Sequence, residues 1–432
     1  KNTHLKVYIQ TYPLKKDKFL TKKQNFHLIT PIFQVNKEEM QKQFLTFAAL
    51  KKKTSMAGIY IHIPFCKTRC IYCDFYSTTR SDLKRRYINA LCEELTMRRD
   101  YLKNEAVRTI YFGGGTPSQL EEEDFRQVFD ALSALYDLNA CEEITLEANP
   151  DDLTEDYVTM LRLLPFNRIS MGIQTFDDAT LRLLNRRHNA LQAIEAVDRC
   201  RRHGFHNISI DLIYGLPGET DERWKCDLHQ AIALNVEHIS AYHLTYEEGT
   251  PLHQMLQAHR VNEVDEDSSV RFFTMLIDTL SAAGYEHYEI SNFCKPGFHS
   301  RHNTSYWQGI PYLGCGPSAH SFDMHSREWN IPSLEKYISA IEEKNRLYEK
   351  EELNLTTRYN EYIMTSLRTR RGIDLPTLKK RFGQALFDYC TSMAVPYLKS
   401  NKLEQQDNHL RLTREGIFVS DGIISDLMFV EE

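Results

Sequence analysis

Six short runs of β-branched and aromatic residues alternate with helical segments between Met56 and about residue 250. The runs lie at 59–63, 109–112, 143–147, 168–174, 208–213 and 238–244. Between them, apolar residues recur at helical spacing, as in 83–102, 121–136 and 190–203. Strands that alternate with helices form parallel sheets, because each parallel crossover is long enough to hold a helix. The pattern predicts an α/β fold with a partial (β/α)6 barrel, which resembles a TIM barrel that lacks two units.

The chemically unusual residues lie at the carboxyl ends of these predicted strands. Three cysteines follow the first run, and a Gly-Gly-Gly-Thr segment at 113–116 follows the second. Glu147 and Gln174 end the third and fourth runs, and Asp211 lies within the fifth. Parallel barrels carry their active sites at this face, where the loops that follow the strands converge. The sequence therefore predicts one pocket lined from several strands.

Composition excludes some classes of protein. The chain has 53 Lys and Arg against 59 Asp and Glu, a net charge of −6, which argues against nucleic-acid binding as its dominant activity. No run of roughly eighteen uncharged apolar residues predicts a transmembrane helix. The first residues are polar and unlike a secretory signal, so we expect a cytoplasmic protein. In that reducing compartment the ten cysteines are not expected to form disulfides.

Cys66, Cys70 and Cys73 place three soft thiolates on one short loop. Iron–sulfur clusters are usually held by four thiolates, so three leave one iron of a 4Fe–4S cube open to an external molecule. Structural zinc is the alternative, but it normally takes four protein ligands. The spacing favours the cluster.

Residues 58–77, GIYIHIPFCKTRCIYCDFYS, resemble the start of radical SAM proteins, in which the open iron binds S-adenosylmethionine (SAM). The resemblance extends from Met56 to the C-terminus. It implies a 4Fe–4S cluster on the three cysteines and SAM in the pocket. The positions that match the family's SAM-contacting residues are Tyr60, Tyr72, Gly114, Gly115, Thr116, Glu147, Gln174, Arg186 and Asp211.

Phe75 separates two branches of this family. The resemblance is greatest to the branch of oxygen-independent coproporphyrinogen III oxidases and the HemW heme chaperones, and the oxidases carry a further cysteine where this chain has Phe75. The departure favours HemW and puts decarboxylation of coproporphyrinogen III in doubt, although that reaction stays the alternative. The resemblance implies that the protein binds heme and delivers it to an acceptor hemoprotein, for example a membrane-associated respiratory enzyme.

A second motif, His302-Asn303-x-x-Tyr306-Trp307, matches the same branch. An imidazole can ligate heme iron, and aromatic rings can flank the porphyrin. His299, His302 and His320 compete as the axial ligand. Without the resemblance, these residues are better interpreted as an ordered loop packed on the barrel.

The chain divides into four predicted regions. Residues 1–55 form an N-terminal extension, either loosely ordered or non-native, and 56–284 form the barrel. Residues 285–332 form an irregular region with the second motif, and 333–432 a mostly helical, winged-helix-like domain. A winged helix raises nucleic-acid binding as a further alternative, but its one basic cue is 379–381, and we expect no nucleic-acid partner. The sequence is compatible with a homodimer.

Overall fold

Six parallel strands form the centre of the structure, a computed structural model that describes residues 56–103 and 105–431. The predicted extension 1–55 lies outside the described residues. The strands are β1 (Met56–Ile63), β2 (Ala106–Gly114), β3 (Glu143–Ala148), β4 (Arg168–Gln174), β5 (Ile208–Tyr214) and β6 (His238–His243). Each pairs in parallel with the next along the chain. The predicted α/β barrel of six units is confirmed.

Alternate residues of each strand face two different surroundings. Ile59, Ile110 and Ile169 belong to the large buried apolar core, whereas their neighbours Tyr60 and Tyr111 line an internal cavity. This period of two follows from the pleat, which turns successive side chains to opposite faces. The outer face is apolar because helices cover it, and the inner face is largely polar. The barrel therefore encloses a polar space, which we call the lumen.

Helices cover the barrel from outside. The main ones are α1 (Lys84–Met97), α2 (Glu122–Leu135), α3 (Glu155–Leu161), α4 (Asp178–Leu183), α5 (Ala190–Arg202), α6 (Asp221–Ala233), α7 (Pro251–Gln257) and α8 (Glu266–Ala282). Side-chain oxygens cap several of them, for example Asn189 at the start of α5. The three helices predicted from apolar spacing match α1, α2 and α5, with ends that differ by at most five residues.

The segment 285–332, expected to be irregular, contains regular structure that extends the sheet. β7 (Glu286–Glu289) and β8 (Asn292–Cys294) add antiparallel strands beside β6. β9 (Tyr312–Cys315) pairs in parallel with β1, and β10 (His320–Phe322) and β11 (Ser326–Asn330) continue from it. Between the two arms lies α9 (Arg301–Trp307). Strands of three to five residues are too short to show periodicity in the sequence.

A second, smaller core forms the C-terminal unit. It begins near Tyr359 and includes α11 (Leu355–Leu367), α12 (Leu375–Lys399), α13 (Arg414–Ile417), α14 (Ser420–Leu427) and a sheet of β13 (Ile373–Asp374), β14 (Leu403–Gln406) and β15 (His409–Leu412). Before it, α10 (Leu334–Glu342) packs in the barrel core, and β12 (Tyr348–Glu352) ends the large sheet. The second core thus starts 26 residues after the predicted boundary at 333. Within the described ranges, each helix is too short or too polar to span a bilayer.

Candidate functional site

One cavity of about 490 Å³ runs through the lumen. Every barrel strand contributes to its wall, with Tyr60, Tyr111, Glu147, Ser170, Asp211 and Tyr242 as representatives. All the residues that the two motifs single out also line it. The structure therefore brings these side chains into one cavity, whereas the candidate axial ligand His299 lies outside its lining.

The three cysteines lie at the carboxyl end of the strands, which we call the cysteine end. Thr116 donates its hydroxyl to Cys66 Sγ at 3.3 Å, and Arg186 Nη1 donates to Cys70 Sγ at 3.3 Å. Burial is the main cause that raises the pKa of Cys73 to about 12, so a thiolate there needs a cation. A metal centre bound by the three thiolates would supply such a cation.

The spacing of the three thiols argues against a single ion bound by all three. Tetrahedral zinc with bonds of about 2.3 Å needs ligand atoms less than about 4 Å apart. Among the described residues, the one group of three such ligands within 4.8 Å of one another is Glu286, Cys294 and His299, and the three cysteines are not such a group. Their wider spread fits a cube whose ligands sit on separate irons.

The glycine segment after β2 has no room for side chains. A Cβ on Gly114 would lie 2.6 Å from the ring of His62, and this residue has a φ of +113°. A Cβ on Gly115 would lie 2.9 Å from the carbonyl oxygens of Pro64 and Phe65. The backbone therefore approaches the cysteine loop closely, which bulkier residues would prevent.

Two buried carboxyl groups face the middle of the lumen. Glu147 accepts hydrogen bonds from the hydroxyl of Tyr111 at 2.7 Å and the amide of Gly114 at 3.2 Å. Burial raises its pKa to about 7, and burial likewise raises the pKa of Asp211 to about 6. Both groups therefore exchange protons near neutral pH and can accept hydrogen bonds from hydroxyl or ammonium groups. Tyr60 lies beside them, with its ring stacked 6.2 Å from that of Tyr111.

Arg186 joins the cysteine loop to the end of β4. Its Nη2 donates to Asn149 Oδ1 at 2.8 Å and to the carbonyl of Gly172, while Nη1 reaches Cys70. Gln174 ends β4 with a φ of +72°, an uncommon value for a residue with a side chain. Such a conformation persists only where its surroundings fix it, and here it accompanies a cavity wall that also includes Tyr72.

The second motif lies at the opposite, amino-terminal end of the lumen. His302 lies against Gly58 near the start of β1, and its Nδ1 is 2.8 Å from the hydroxyl of Thr109. At about 3.3 Å per residue, Gly58 and Ile63 are about 17 Å apart along β1. The structure therefore places the motif and the cysteines at the two ends of one cavity.

Two anchors hold α9 in this position. The backbone amides of Arg301 and His302 donate to the carboxylate of Glu143, both at 2.9 Å. At its other end, the ring of Trp307 lies 4.9 Å beneath the guanidinium of Arg368, which also pairs with Glu289 at 3.2 Å. The C-terminal unit thus contributes a side chain to the cavity wall.

The three candidate axial histidines differ in position. His299 lies outside the cavity lining and contacts Glu286 at 3.4 Å and the ring of Tyr288. His302 is buried, and its second nitrogen, Nε2, is 2.8 Å from the hydroxyl of Tyr306. Burial lowers its pKa to about 3, so it is neutral. His320 lines the cavity and stacks 5.7 Å from Trp329. Of the three, only His302 and His320 face the lumen.

Several cavity residues escaped the sequence analysis. Tyr111, Arg168 and Ser240 occupy inward positions on strands that were predicted correctly, and Arg368 comes from the C-terminal unit. The available signal was the alternation along each strand, in which residues two apart face the same side, as Arg168 and Ser170 do on β4 and Ser240 and Tyr242 do on β6. For Arg368 no local signal exists, because its contact with Trp307 spans two units of the fold.

The barrel, the three-cysteine loop and the lumen together define a radical SAM protein. The family model "Radical SAM superfamily" matches residues 60–229, and "HemN C-terminal domain" matches 353–419. A solved structure, "Coproporphyrinogen III oxidase (HemN) from Escherichia coli is a Radical SAM enzyme", covers 89% of this chain and 93% of its own with a TM-score of 0.76. At 22% identity, that likeness shows the fold.

Relatives at higher identity define the branch. The heme chaperone HemW of Lactococcus lactis is 33% identical over 85% of this chain and 96% of that protein. HemW of Bacillus subtilis is 32% identical over 85% of this chain and 98% of that protein. The chain therefore belongs to the HemW branch of the radical SAM superfamily, as the sequence motifs predicted.

Proposed function

We propose that this protein is a heme chaperone, which binds heme in the lumen and transfers it to an acceptor hemoprotein. The names of its relatives support this function. The observation that carries the proposal is the shape of the cavity, which joins a three-thiol end to an aromatic end lined by His302, Tyr306 and Trp307. Aromatic rings and a neutral imidazole suit a flat, apolar, iron-containing ligand.

The cysteine end fits a 4Fe–4S cluster with SAM. The thiols are too far apart to share one tetrahedral ion, and Gly114 and Gly115 let the backbone approach the cysteine loop closely. When bound, the pair supplies an electron relay that can cleave SAM to a radical. In our proposal the surrounding residues hold SAM: Arg186 by its guanidinium, and Glu147 and Asp211 by their carboxyl groups.

Phe75 argues for carriage of heme rather than oxidative decarboxylation. Its side chain lines the cavity at the cysteine end and is 48% exposed. The resemblance places the further oxidase cysteine at this position, and a phenyl ring can neither bind metal nor carry a proton. The oxidase alternative rests on the shared fold, which by itself does not specify chemistry.

The nucleic-acid alternative has little support from the basic run at 379–381. Lys379 lies 5.5 Å from the ring of Phe387, and Arg381 lies 5.2 Å from that of Tyr362. Two of these three cations thus pack on aromatic rings of their own domain, as cation–π pairs.

A heme titration tests the proposed function. Anaerobically reconstituted protein is titrated with heme, and the Soret band is followed to saturation. We expect one heme per chain, and we expect Trp307→Ala to weaken binding about tenfold, since aromatic contacts contribute about 1–2 kcal/mol. Tyr348→Ala, an exposed aromatic side chain of β12 outside the cavity lining, is the matched control and should bind heme as wild type does. Absence of saturable binding by wild type would overturn the proposal.

A further inference from the structure

Arg168 is a buried cation at the amino-terminal end of the lumen. It begins β4, is 2% exposed and lines the cavity. Its Nε has no hydrogen-bond partner, and within the described residues no carboxylate lies within the 4.0 Å of an ion pair with it. Burying an arginine without a paired anion is costly, so such residues usually face a ligand or a counter-charge.

Glu147 and Asp211 line the same lumen, but neither forms an ion pair with Arg168. Burial raises the pKa of Glu147 to about 7 and that of Asp211 to about 6, even though the charge of Arg168 lowers both. The Arg168 guanidinium therefore stays available to an anion that enters the lumen, since its Nε has no partner.

The carboxylate of SAM is not that anion. In the proposed function SAM lies at the cysteine end, where Arg186 contacts Cys70. Arg186, which contacts Cys70, reaches β4 at Gly172, and Arg168 lies four residues before it, about 13 Å along the strand. Arg186 is therefore the arginine placed for SAM, and Arg168 faces the other half of the lumen.

That half has the features of a site for a flat aromatic acid. The rings of Tyr111 and His302 stack 5.1 Å apart, and the ring of Tyr306 lies against His302. Trp307 Nε1 is buried without an acceptor, so this end holds a second donor that lacks a partner. The cavity wall here combines aromatic faces with hydrogen-bond donors that need an acceptor.

We propose that Arg168 binds a carboxylate of the cargo, a propionate of heme, at the amino-terminal end of the lumen. This inference rests on the proposed function, because it assigns the orientation of the heme that the chaperone carries. The propionate enters toward Arg168, and the porphyrin face lies between Arg168 and the cysteine end. Arg168 is thereby the residue that distinguishes heme from tetrapyrroles without free acids.

The test compares heme with heme dimethyl ester, in which both propionates are neutral. Cluster-bearing wild-type protein is titrated with each ligand and followed by absorption. We expect heme to bind about 10 to 100 times more tightly than the ester, the range of a hydrogen-bonded charge pair. In Arg168→Gln the two affinities should be equal within about threefold, and the ester should bind as it does to wild type. Arg168→Lys should keep part of the preference.

Arg199→Gln is the matched control, because Arg199 donates to the carbonyl of Leu153 and does not line the cavity. It should keep the full preference for heme. Iron content and thermal unfolding check that each variant is folded. If Arg168→Gln does not fold, the comparison of heme with its dimethyl ester in wild-type protein still tests the inference.

Three outcomes would overturn the inference, and they differ in what else they affect. Equal binding of heme and ester by wild type removes the role of Arg168 and leaves the chaperone function standing. Loss of SAM affinity in Arg168→Gln, with its preference for heme intact, reassigns Arg168 to SAM. Absence of binding of either tetrapyrrole overturns the proposed function together with the inference.

Discussion

Arg186→Lys should weaken SAM binding far more than Arg187→Lys, although the two arginines are adjacent. Arg186 reaches three acceptors through two nitrogens: Cys70 Sγ at 3.3 Å, Asn149 Oδ1 at 2.8 Å and the carbonyl of Gly172. Lysine keeps the charge but has one nitrogen and cannot form this fork. In the proposed site the guanidinium also donates to SAM, and losing one such hydrogen bond to a charged group costs about 1.5–3 kcal/mol, a loss of SAM affinity of about 10- to 150-fold.

Arg187 provides the matched control. It pairs with Asp151 and Asp152, each at 2.9 Å, and does not line the cavity. Isothermal titration of SAM into anaerobically reconstituted protein measures both variants, and we expect Arg187→Lys to stay within about threefold of wild type. Thermal unfolding without SAM separates a binding defect from instability. Equal affinity in the two variants would refute the assignment of Arg186 to SAM.

Three further predictions concern the cluster and stability. Replacing any cluster cysteine with alanine should abolish the reconstituted iron content, whereas Cys226→Ala, an exposed thiol of α6, should leave it intact by iron assay. Burial lowers the pKa of His302 to about 3 in the folded protein, from an ordinary value near 6.5. Below pH 6.5 the His302 side chain is therefore protonated in the unfolded protein but not in the folded one, and the free energy of unfolding falls on acidification. The advantage of wild type over His302→Gln in urea unfolding should thus shrink by about 1.4 kcal/mol from pH 7.5 to 5.5, and an unchanged gap would contradict the buried neutral state. Glu94 is fully buried and accepts from Gly316, Asn330 and Tyr337 at 2.8, 2.8 and 2.6 Å, so Glu94→Ala should cost about 3–5 kcal/mol in urea unfolding. The neighbouring residue Glu93 pairs with Lys344 nearer the surface, so Glu93→Ala should lower the free energy of unfolding by less than about 1 kcal/mol.

The barrel was predictable because its strands and helices are each encoded by apolar patterns within short stretches of sequence. Each strand has one apolar face that packs against helices, and Ile59 of β1 and Ile169 of β4 belong to such faces. Each helix shows its own apolar spacing. The site residues at the cysteine end were predictable for a related reason. Carboxyl ends of parallel strands converge, so Glu147, Gln174 and Asp211 had to face one region.

The opposite end of the lumen was not predictable in this way. The position of His302 depends on a contact with Thr109 across 193 residues and on the capping of α9 by Glu143. Neither contact has a local signature, since both depend on how the segment after β8 folds back over the barrel. The short strands in this segment hid its regular structure, and the role of Arg368 emerges only when the C-terminal unit packs on the barrel.

The most direct test of the central claim offers both tetrapyrroles to one sample. Cluster-bearing protein is incubated anaerobically with SAM, a reductant, heme and coproporphyrinogen III, and its bound and free tetrapyrroles are separated by chromatography. The account predicts one tightly bound heme per chain and coproporphyrinogen III recovered unchanged. Formation of protoporphyrinogen without retained heme would contradict it.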